Sequence, residues 1–213
     1  MPLTIATRDD ERQYFEGGNY ELNLSFDSLR DKQWQRVIKT LWDHPALFGP
    51  LAERYIPGKM PGEKLEIQVP PPTATMTQHG QIQLGTDQVI GCEVLATRSL
   101  FECVSILIPL GMFDGLVGGM GMRHEHPELQ TIDDILSDIA LCVFDIVPFR
   151  IAAIGYERGC QLLAELRTSA EMRHTFLITG NFMAHEEVLR AIEPDLASYE
   201  EVRPHLRWLS PRL

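Results

Sequence analysis

His124, Glu125, His126 and Glu128 stand close together just after a glycine-rich stretch. Imidazoles two residues apart on an extended segment point the same way. His124 and His126 could therefore share a divalent metal, with Glu128 as third ligand or general base. Such a set would serve a metal-dependent hydrolase whose pocket is gated by the glycines of residues 115–121. Against this, Pro127 turns the chain ahead of Glu128, and no distant third ligand can be picked out, so a polar surface loop is the plainer reading.

Other catalytic signatures stop short. His185, Glu186 and Glu187 open like a zinc-protease helix, but Leu189 occupies the place of the second histidine, which excludes that mechanism. His185 shares a helical face with Val188 and Ile192 and is expected in the core or in a first helical turn. The 115–121 loop, with Arg123 beside it, could offer backbone amides to an anion, yet it has neither the Lys-Ser/Thr ending of a P-loop nor GxGxxG. Thr179, Gly180 and Asn181 read as a plain helix start, and no GxSxG occurs. Cys92, Cys103, Cys142 and Cys160 form no CxxC pair and are expected as buried thiols of a reducing compartment. Only Cys160 lies near a helix start that could activate it.

The least generic feature is acidic. Residues 125–149 hold six carboxylates and no Lys or Arg. On a helix, Asp134, Asp138 and Asp145 fall within about 40° of one another, with Leu141 projecting among them. Ile132, Ile135, Leu136, Ile139, Val143 and Ile146 are expected on the covered side. Like charges one turn apart repel, so the stripe costs the helix a few tenths of a kcal/mol per pair. An apolar residue ringed by carboxylates suits recognition of a basic partner, since the ring speeds encounter and the centre supplies buried area. The plainer alternative is a solvated face kept acidic for solubility.

The whole chain agrees in sign. Its 213 residues carry 19 Lys and Arg against 30 Asp and Glu, a net charge of −11. With no basic cluster beyond pairs such as Lys32 and Arg36, nucleic acid and anionic membrane are poor partners, whereas a basic protein would be steered toward it. No basic region followed by an apolar run opens the chain, and residues 103–122, the nearest approach to a span, contain Pro109 and five glycines. A cytoplasmic location is expected.

The elements that must position these residues follow from periodicity. Residues 1–19 read as a polar tail or edge element, and 20–213 as a single domain whose internal boundary, if any, falls at 56–77. Tyr20, Leu22, Leu24 and Phe26 alternate as a strand. Ser28 and Asp31 have capping-box spacing ahead of Trp34, Val37, Ile38, Leu41 and Trp42, a helix stopped near His44 by Pro45. At that spacing Trp34 and Trp42 read as core rather than as the walls of a ligand pocket. Leu65, Ile67 and Val69 predict a short strand, and residues 81–110 a three-stranded meander. Thr131 and Asp134 open a helix closed by Pro148; a strand over 149–156, a helix at 162–170, a strand at 174–179 and a last helix follow. The fold class expected is α+β: a central, mainly antiparallel sheet with four or so flanking helices. Function is expected to be non-enzymatic, with no cofactor: a neutralising or adaptor-type protein engaging a basic protein through Asp134, Asp138, Leu141 and Asp145.

Overall fold

A computed structural model describes residues 4–85, 88–99, 102–113, 129–156, 180–192, 196–197 and 199–209. Its strands are β1 (Asn19–Phe26), β2 (Leu47–Leu51), β3 (Thr75–Gln83), β4 (Val89–Arg98), β5 (Glu102–Pro109), β6 (Ile151–Tyr156), β7 (Gly180–His185), β8 (Glu200–Arg203) and β9 (Leu206–Leu209). They join in one sheet, ordered β2-β3-β4-β5-β1-β6-β7-β9-β8, in which every pairing is antiparallel. The described α-helices are α1 (Asp31–Trp42), α2 (Gln130–Ile146) and α3 (Glu186–Ile192).

This overturns the expected architecture of a central sheet with four or so flanking helices. The sheet dominates, and three helices accompany it among the described residues. The expected helix at 162–170 and strand at 174–179 lie outside the described residues. The meander is real but is one part of a larger sheet, and its first strand begins at Thr75 rather than 81. Polar Gln78 and small Gly80 hid that strand from a hydrophobicity pattern. Both face Trp42, whose indole Nε1 donates to Gln78 Oε1 at 3.0 Å.

β1 sits at the centre because its alternation supplies two different faces. Tyr20, Leu22, Leu24 and Phe26 point into the core beneath α1 and α2. Leu22 is paired with Ile106 on one side and Ile154 on the other. Trp34, Val37, Ile38 and Leu41 of α1 and Ile132, Leu136, Ile139 and Val143 of α2 pack there, each fully buried. On the opposite face Asn23 Nδ2 donates to Glu21 Oε2 at 2.9 Å, and the Ser105 hydroxyl donates to Asn23 Oδ1. These buried polar groups satisfy one another, as burial requires. Farther along that face α3 places Val188 and Leu189 over Ile151, Ala153 and Ala184.

Helix starts differ from the sequence expectation. The α1 N-cap is Arg30, whose backbone N–H donates to Gln33 Oε1 at 3.0 Å, while Asp31 pairs with Arg98 at 2.9 Å. α2 begins at Gln130 with no side-chain cap, and its Asp133 is buried and accepts from the Tyr20 hydroxyl at 2.6 Å. Leu65, Ile67 and Val69 form no strand. Their segment runs along the outer edge of β2, where Leu65 N–H donates to Pro50 O at 2.8 Å and Lys64 bridges Leu51. Cys103 is disulfide-bonded and Cys92 and Cys142 are free, which departs from the expectation of four thiols.

Candidate functional site

α2 is positioned by the burial of one side only. Eight residues from Ile132 to Phe144, Asp133 and Ser137 among them, face the core. The remaining arc is left toward solvent: Asp134, Asp138 and Asp145 are exposed, and Leu141 and Cys142 are half-buried. At 100° per residue Leu141 and the three aspartates span about 60°, and Thr131, Cys142, Ile135 and Ile146 occupy the adjoining arc of about 80°. Ile135 and Ile146, expected on the covered side, lie at its margin: Ile135 is half-buried and Ile146 is 39% exposed. The free face of α2 is thus an acidic ridge bordered by apolar side chains.

Each aspartate has an intramolecular neighbour. Asp134 accepts from Gln130 Nε2 at 2.7 Å. Asp138 Oδ2 lies 3.1 Å from His44 Nε2, and Asp145 accepts from Arg203 Nε at 2.9 Å. The last two contacts leave much of each carboxylate in water, the side chains being 66% and 49% exposed. An exposed ion pair of this kind is worth about 0–1 kcal/mol, so an incoming cation can exchange with Arg203 at little cost.

His44 reaches α2 from the end of α1. Its N–H donates to Leu41 O at 3.1 Å, closing the helix, and its carbonyl accepts from Leu47 N–H at 2.9 Å as β2 begins. The imidazole is buried, and its Nδ1 accepts from Ala46 N–H at 3.2 Å. That bond sets the tautomer: Nε2 carries the proton and donates it to Asp138. Cys142 stands one turn beyond Asp138, and the ligand atoms of His44, Asp138 and Cys142 lie within 4.8 Å of one another. Burial pushes the Cys142 thiol up, Asp138 and Asp145 push it further, and Arg203 opposes them. The thiol therefore stays protonated at neutral pH. A cysteine nucleophile needs the opposite shift. It also needs nucleophile and carboxylate on opposite ring nitrogens, whereas here Asp138 holds Nε2 and a backbone amide holds Nδ1.

A second polar cluster lies at the far end of the sheet. The His185 and His205 rings stack with centroids 6.0 Å apart. Glu186 Oε1 takes Arg190 at 2.8 Å and Arg207 at 3.2 Å, and these guanidiniums hold its carboxyl below the usual range. Glu187 takes Arg150 at 2.8 Å, which likewise lowers its carboxyl. His185 is at the end of β7, partly exposed, and Leu189 is fully buried. These contacts tie α3 to β6 and to the β8–β9 hairpin.

His124, His126 and Glu128, the 115–121 loop, Arg123, Thr179 and Cys160 lie outside the described residues. The sequence singled out the α2 aspartates but not their companions. Cys142, four residues after Asp138, was legible from helical spacing. His44 and Arg203 are 94 and 58 residues from their partners, and no local pattern announces such pairs. Trp34 and Trp42 are both buried in the core.

No protein-family model matches the chain, and no match is found for it among curated proteins or solved structures.

Proposed function

We propose that this is a protein-binding protein that captures a basic protein partner on the free face of α2. The observation that supports this reading most is that α2 carries no Lys or Arg and turns Asp134, Asp138 and Asp145 to solvent, beside Leu141 and the exposed Ile146. The carboxylates would steer a cationic surface inward, and the half-buried Leu141 among them would supply the apolar centre, with Ile146 at the margin of the face. Arg203 refines the picture. It masks part of Asp145, so Asp134 and Asp138 carry most of the unshared charge, and a partner's Lys or Arg replaces Arg203 as docking completes.

A photo-crosslinking residue in place of Leu141, in cells that make the protein, tests the proposal. The expected product is a basic protein joined at position 141, its yield falling several-fold when Asp134, Asp138 and Asp145 are all changed to Asn. Capture of acidic or assorted proteins, or a yield indifferent to the triple change, contradicts it.

The cytoplasmic setting belongs to the same proposal. Among the described residues no helix is long and apolar enough to cross a membrane. The disulfide at Cys103 counts against that setting, because a reducing compartment keeps such a sulfur as a thiol, so its redox state in the cell is the discriminating test. Because Cys103 is buried, the cells are lysed directly into denaturant: alkylation without reductant supports the cytoplasm, and protection until reductant is added argues for an oxidising compartment.

A further inference from the structure

We propose that His44, Asp138 and Cys142 form a binding site for one thiophilic divalent transition ion, with zinc as the expected occupant. The three side chains bring a nitrogen, an oxygen and a sulfur within 4.8 Å of one another, His44 from the turn after α1 and the other two from successive turns of α2. Zinc accepts that donor mixture, and its bond lengths place ligand atoms about 3.3–3.8 Å apart in a tetrahedron. The His44–Asp138 separation of 3.1 Å opens slightly to admit the ion, and the sulfur closes toward it. Soft sulfur beside imidazole disfavours magnesium and calcium.

Access and charge fit as well. The Asp138 side chain is 66% exposed, so an ion arrives from solvent, while His44, 5% exposed, forms the floor. Coordination moves no electrons. The Cys142 thiol releases its proton to water, and the His44 ring proton passes from Nε2 to Nδ1 as Nε2 takes the metal. That tautomer gives up the long contact with Ala46 N–H, at a residue only half-buried, where water can replace it. The thiolate, Asp138 and Asp145 balance the ion and Arg203, leaving the site formally neutral. Three protein ligands leave a fourth position for water.

The inference does not rest on the docking proposal; Asp138 is the one ligand common to both, and Asp145 with Arg203 enters the metal site only through its charge. Tag-free full-length protein, stripped with chelator, is titrated with zinc chloride and, separately, cobalt chloride. The expected result is one ion per chain, with cobalt giving thiolate-to-metal charge-transfer absorption in the near ultraviolet. Cys142→Ser abolishes that absorption and, like His44→Gln, weakens zinc binding by more than about tenfold. Cys92→Ala and the double change His124→Ala with His126→Ala leave both readouts intact. Cys142 is half-buried, so its serine variant folds even if the His44 change does not. Absence of stoichiometric binding, absorption that survives Cys142→Ser, or binding lost only with His124 and His126 would each overturn the assignment.

Discussion

At the scale of single residues, the polar side chains divide into those that hold the fold and those left for solvent. Glu187 belongs to the first group. Arg150 bonds it at 2.8 Å and Asp27 at 2.7 Å, so one guanidinium fastens α3 to the turn after β1. Because Arg150 holds the Glu187 carboxyl below its ordinary value of 4.5, the contact contributes stability above that pH and loses it as pH falls through the folded-state value. Denaturant melts across pH 3–7 should therefore show Glu187→Gln less stable than the parent at neutral pH, with the two curves merging at the acid end. Parallel curves would mean that the ion pair is not coupled to folding. His44 shows why residue-scale chemistry was only half legible. A histidine before a proline at a helix end looks like punctuation until the fold brings it to Asp138.

Elements were read well where one face is apolar and poorly where packing, not hydrophobicity, decides. β1, α1 and α2 announce themselves through clean two- and 3.6-residue periods, and their buried faces follow those periods. β2 (LFGPL) contains Gly49 and Pro50, which ordinarily mark turns, and its one strand partner, β3, is joined with a register shift. The β8–β9 hairpin is short and charged, with His205 at φ 67° in its turn, so neither strand shows in the pattern. Gly80 is the sharpest local case. A Cβ there would lie 2.5 Å from the Trp42 ring, so the glycine is the space that the indole occupies. Gly80→Ala should destabilise the protein by about 1–3 kcal/mol and shift tryptophan fluorescence, as overpacked sites do. Wild-type stability and emission in that variant would show that β3 and α1 are not in register as described.

For the molecule as a whole, the antiparallel character of the sheet was legible but its size was not. Hairpin neighbours such as β3, β4 and β5 can be inferred from turn spacing, whereas β1 enters between β5 and β6 by pairings far apart in sequence. The last helix is expected directly after Gly180 and Asn181, whereas those residues belong to β7 and the helix begins only at Glu186. Net charge, by contrast, is fixed by composition, and −11 sets the sign of any long-range attraction. It is concentrated where α2 carries carboxylates without a single Lys or Arg. The most direct measurement is the association rate constant, as a function of salt, for the partner captured at position 141. The rate is expected to fall steeply as ionic strength rises, with the slope flattened several-fold when Asp134, Asp138 and Asp145 become Asn. Identical slopes for the two proteins would contradict it.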